Sequence, residues 1–79
     1  MNYIVIESRT SVAGKQEFVN FGNFATRNSA MGKAYSRLAE MEQSKEFASA
    51  SETVINADGV TVMSDKVYST AIATEHNEQ

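Results

Sequence analysis

A general base, a nucleophile or a metal ligand needs partners, and this sequence supplies few of them. His76 is the single histidine, and it stands among polar residues just before the final residue, Gln79. Proton transfer or zinc binding demands neighbours held rigidly around an imidazole. A polar tail offers none, so His76 is expected to be solvated. With no cysteine in the chain, neither a thiolate metal site nor a disulfide framework can form. Glu42 and Glu46 are four apart and would be neighbours on a helix, where they read as a solvated terminus around Lys45. Asp58 and Asp65 are accounted for by the turns expected at those positions. Serines and threonines are plentiful, but a hydroxyl nucleophile requires a base beside it, and no G-x-S-x-G elbow is present. Gly14, Gly22, Gly32 and Gly59 are scattered and form no phosphate-binding loop. The sequence thus predicts no catalytic residue, no metal, no cofactor and no enzymatic activity.

Composition narrows the remaining classes. Seven Lys plus Arg against ten Asp plus Glu give a net charge of −3. Nucleic-acid binders draw most of their affinity from neutralising phosphates with a basic surface, so no direct nucleic-acid binding is expected. A hydrophobic share of 42%, with three Tyr and four Phe, is ample for a folded core. The opening apolar run, Ile4-Val5-Ile6, is too short for a signal peptide, and no stretch nears the ~20 apolar residues of a membrane span. Small secreted domains usually carry disulfides, which points to a cytoplasmic setting. Seventy-nine residues make one domain, expected over residues 1–74 with a polar tail at 75–79.

Hydrophobic periodicity sets the expected elements. Tyr3 to Arg9 alternates as a strand, and Gln16 to about Phe21 follows as its hairpin partner across a loop containing Gly14. Met31, Ala34, Tyr35, Leu38 and Met41 recur at spacings of three and four, one apolar stripe on a helix from Arg27 to Lys45. Thr26 is the expected N-cap, with Asn28 as the competing position. Gly32 sits at the edge of that stripe, where a backbone could approach. Phe47 to Glu52 has no clear period and reads as a connection. Thr53 to Ala57 and Val60 to Met63 flank Asp58-Gly59, the strongest hairpin signal in the chain. Ser64 to Lys66 reads as a turn before a last strand from Val67 to Thr74. The order is β-β-α-β-β-β. The fold class is α+β, a four- or five-stranded antiparallel sheet with one amphipathic helix on one face.

Two surfaces are candidates for binding. Arg27, Lys33 and Arg37 fall near one side of the helix, with Glu40 close to Arg37. The other candidate is the sheet face that a single helix leaves uncovered. If Ile4, Ile6, Val19 and Phe21 lie beneath the helix, then Tyr3, Val5 and Phe18 face outward and form an apolar patch that calls for a partner. A homodimer through that face or through an edge strand is the expected state.

The chain resembles, as an architecture, small phage-encoded inhibitors of the anti-CRISPR and anti-defence type. The resemblance is carried by the opening strand Met1-Asn2-Tyr3-Ile4-Val5-Ile6, by the helix entry Phe24-Ala25-Thr26-Arg27-Asn28-Ser29-Ala30, and by the Asp58-Gly59 hairpin. It implies a protein that blocks a host complex by occupying its surface in the host cytoplasm. A small homo-oligomeric structural or regulatory module, with no inhibitory target, is the alternative.

Overall fold

The computed structural model describes residues 2–71. Two hairpins flank one helix: β1 (Tyr3–Ser11), β2 (Gln16–Phe24), α1 (Arg27–Glu42), β3 (Phe47–Asn56) and β4 (Thr61–Tyr68). The strands form one antiparallel sheet in the order β2-β1-β3-β4, so the expected α+β class holds, with the smaller of the two strand counts. Both neighbours of β1 run against it, which makes β2 and β3 parallel to each other. Parallel strands cannot be joined by a tight turn, and α1 provides the crossover. The turns follow local chemistry. Gly14 at φ +90° and Gly59 at φ +82° take the left-handed conformation their hairpins require. The Asn56 side-chain oxygen accepts from the N–H groups of Asp58 and Val60, 3.0 Å each, which fixes the Asp58-Gly59 turn.

Several boundaries differ from the periodic reading. Phe47 to Glu52, read as a connection, is the first half of β3. Its Ala and Ser residues have little β preference of their own, but β3 pairs with β1 on one side and β4 on the other, and a central ladder overrides propensity. Ser64 to Lys66 is no turn: it continues β4 opposite Thr53, Glu52 and Ser51. A fifth strand therefore has no turn to begin it, and β4 ends at Tyr68. Beyond it, Ser69 and Thr70 donate their hydroxyls to the Ser44 and Glu42 carbonyls; the latter is one of the acceptors that the end of a helix leaves open. The rest of the expected last strand, the tail and His76 lie outside the described residues.

Helix α1 opens where the sequence places it. Thr26 is extended, at φ −126°, and its hydroxyl accepts from the Ser29 N–H at 3.1 Å, so Thr26 and not Asn28 is the cap. The buried stripe is Ala30, Ala34, Leu38 and Met41. It is rotated from the expected one: Tyr35 is exposed and Met31 only packs at the margin. Small side chains at 30 and 34 bring the helix close to Val5 and Val54, all four wholly buried. Gly32 serves no close approach, since a Cβ there would meet nothing within 4 Å. Gly32→Ala should therefore stabilise the protein by up to ~1 kcal/mol, raising the melting temperature by about 4–8 °C. A lower melting point in a thermal scan would mean that something packs on that position.

The faces of β1 are the reverse of the expected ones. Val5 is fully buried under the helix and Tyr3 packs at the edge of the same core, whereas Ile4 and Ile6 turn to the open side. The physical reason is Glu7. It shares a face with Tyr3 and Val5, and it is drawn beneath the helix by a cation on α1.

Candidate functional site

At mid-sheet, directly under α1, the cross-strand row Val19–Glu7–Glu52–Asp65 places two carboxyl groups side by side on the central strands. Glu7 and Glu52 are both 0% exposed, the largest wholly buried side chains of the described residues. Carboxylates are rarely buried without a partner, and Glu7 has two. Arg37, descending from the helix, donates from Nε to Glu7 Oε1 at 2.7 Å and from Nη2 to Oε2 at 3.2 Å, a forked pairing. Arg9 donates to Oε2 at 3.3 Å and reaches Glu17 Oε1 at 2.9 Å. Arg37 also bonds Glu40 on its own helix. Aromatic faces close the flanks: Lys33 and Arg37 lie 4.7 and 5.3 Å from the Phe21 ring, and Arg9 lies 4.5 Å from Phe47.

Glu52 is different. As a carboxylate, it would meet no hydrogen-bond donor at either oxygen. As a carboxylic acid, it can donate its proton to Glu7. Burial, the hydrogen bond to Glu7 and the Glu7 charge push its pKa up to about 9, against the weaker pull of Arg37 and Lys33. For Glu7, burial alone acts upward, but the bonds from Arg37 and Glu52 and the charges of Arg37 and Arg9 hold it below the usual carboxylate range. The same contact with Glu7 raises the Arg37 pKa against burial. At neutral pH the cluster is thus one anion, one neutral acid and their cations, locked between helix and sheet. Neither carboxyl reaches solvent, and no cavity opens onto them among the described residues. Among the described residues, no group of three acidic or histidine side chains gathers to hold a metal ion.

The expected helix patch divides under this geometry. Arg37 is committed to Glu7 and largely buried, Lys33 is half-buried against Phe21, and only Arg27 and Glu40 are well exposed. Neither Glu7 nor Glu52 was singled out by the periodic reading. A charge in mid-strand on the same face as Tyr3 and Val5, with Arg37 on the helix, was the available signal. For Glu52, a strand read as a connection left no signal at all.

The second surface is the open face of the sheet. Phe18 is on it, as expected, at 70% exposure, and Tyr68 shares it at 67%. Tyr3 and Val5 are replaced there by Ile4, Ile6 and Ile55, of which Ile4 and Ile55 stand directly opposite. Ser8, Thr10, Ser49, Ser51 and Thr53 fill the remaining central positions. No described carboxylate lies on this face. Glu7, Glu17, Glu52 and Asp65 occupy register positions on the helix side, and Asp58 is in a turn. Lys66, paired with Ser51, is the one charge of the described residues on the open face, and its ammonium sits 5.0 Å from the Tyr68 ring. No helix among the described residues is long and apolar enough to cross a membrane. No family model, curated protein or solved structure matches this chain.

Proposed function

We propose that this chain is a non-enzymatic protein-binding module that works through its open sheet face. The observation that carries the reading is an isoleucine cluster, Ile4, Ile6 and Ile55, half-buried among its strand neighbours on a face over which no other described element packs and which carries no described carboxylate. A contiguous apolar patch of that kind on a small domain marks an interaction site, and a flat sheet face suits a partner's surface better than a small ligand's shape. The buried ion cluster supports the same reading, because it fixes α1 on one side of the sheet and no other described element lies over the other side. The finer form of the proposal follows the architectural resemblance: a phage-type inhibitor, of the anti-CRISPR or anti-defence kind, that occludes a host complex stoichiometrically in the host cytoplasm. No cofactor and no nucleic acid enters the mechanism.

The test compares captured proteins. Wild-type chain, Ile6→Glu and Tyr35→Ala are immobilised and exposed to host lysate. Ile6→Glu is expected to lose the specific partner, since a carboxylate on the apolar patch must be desolvated on binding. Tyr35→Ala, on the opposite side of the molecule, should retain it. Loss with Tyr35→Ala and retention with Ile6→Glu would move the binding site to the helix.

A further inference from the structure

We infer that a second copy of this chain covers the open face, stacked sheet on sheet about a two-fold axis that runs parallel to the strands between β1 and β3. The inference rests on the protein-binding reading of that face and takes its homo-oligomeric form: the second copy occupies the face, and a host complex bound there must displace it. It comes from the register. Four rows of side chains cross the open face: Gln16–Thr10–Ser49–Tyr68, Phe18–Ser8–Ser51–Lys66, Asn20–Ile6–Thr53–Ser64, and Asn23–Ile4–Ile55–Thr61. The stated axis keeps each row at its own level and reverses its order, so β1 lies over β3 of the second copy and β2 over β4.

Two of these rows then meet a complement. Ile4 faces Ile55 of the second copy, in both directions, and Ile6 flanks that contact. The single charge of the face, Lys66, meets the exposed ring of Phe18, an aromatic cation contact made twice by the symmetry. No other charge is buried and no carboxylates are opposed, although each chain carries a net charge of −3. Aligned sheets pack about 10 Å apart with their strands within roughly 30° of one another, a range that a two-fold axis parallel to the strands satisfies. Area is also sufficient. Four strands ~4.8 Å apart and about 28 Å long give a plan area of ~540 Å², and two such faces remove about 1,100 Å² from water, above the ~1,000 Å² a specific interface needs.

Sedimentation equilibrium through the high micromolar range tests it. Wild type is expected at twice the 8.7 kDa chain mass, and Ile6→Glu at the chain mass with an unchanged circular-dichroism spectrum. Phe18→Lys, at an exposed edge position that the fold does not need, sets two like charges together and should weaken the dimer about tenfold or more. Adding Lys66→Glu to Phe18→Lys should restore it, because the two positions meet only across this axis. A dimer that ignores Ile6→Glu, or a charge exchange that restores nothing, overturns the arrangement. A monomeric wild type also overturns it, and lysate capture then separates the two readings: capture abolished by Ile6→Glu keeps the face as a binding site for another protein, whereas capture unaffected removes both.

Discussion

Arg37→Ala is expected to destabilise the protein by about 3–5 kcal/mol, the usual result of leaving one partner of a buried ion pair without the other. Glu7 is wholly buried and, of its three hydrogen bonds from cations, receives two from Arg37. Arg9 remains, but it is divided between Glu7 and Glu17 and cannot replace a fork from above. Domains hold only about 0.05–0.15 kcal/mol per residue, so the variant should sit near its unfolding threshold. Urea denaturation at pH 7 measures the effect as a large fall in midpoint. Adding Glu7→Gln to Arg37→Ala should recover more than half of the loss, because an amide removes the stranded charge and still accepts from Glu52. A cost under about 1 kcal/mol for Arg37→Ala would show that the pair behaves like an exposed surface bridge.

The second large effect is on the pH profile. Unfolding returns Glu52 to its ordinary value of 4.5, whereas the folded protein holds it at about 9. Between those limits the folded state binds one more proton than the unfolded state, so stability falls as pH rises, by up to ~1.4 kcal/mol per unit from this group. Glu7 acts in the opposite sense: its folded pKa is lowered, so its contribution is complete above pH 4.5 and is lost as pH falls through the folded value. The two together place maximum stability in mildly acidic solution, with a decline toward pH 9. Arg37, whose pKa is raised further by Glu7, stays charged across this window and does not mask the slope. Glu52→Gln should flatten the alkaline limb and make the protein more stable than wild type at pH 8–9, while changing little at pH 5. Urea midpoints at pH 5, 7 and 9 on both proteins decide it. Equal slopes would mean that Glu52 is ionised in the folded state at neutral pH.

Both effects come from residues whose importance was not legible in the chain, and the reason lies in what alternation can convey. Tyr3-Val5 and Ile4-Ile6 are equally apolar pairs on opposite faces of one strand. Periodicity shows that there are two faces but not which one a helix covers. With hydrophobicity tied, no local signal chooses between them, and the partner that Glu7 meets beneath the helix, Arg37, comes from α1, 30 positions away in sequence. Glu52 was hidden for a related reason: Phe47 to Glu52 has no strand pattern of its own and becomes a strand because two neighbours pair with it.

Local signals were sufficient elsewhere. The stripe spacing located α1, Thr26 its first turn, and Asp58-Gly59 the second hairpin, because a cap or a tight turn is decided by a few consecutive residues. The sequence by itself determined the class of fold, one helix on an antiparallel sheet, since the periods of 3.6 and 2 are written residue by residue. Which face of that sheet the helix covers was decided only in the tertiary structure. A buried carboxylate takes its place from the cation that compensates it, and that cation belongs to another element.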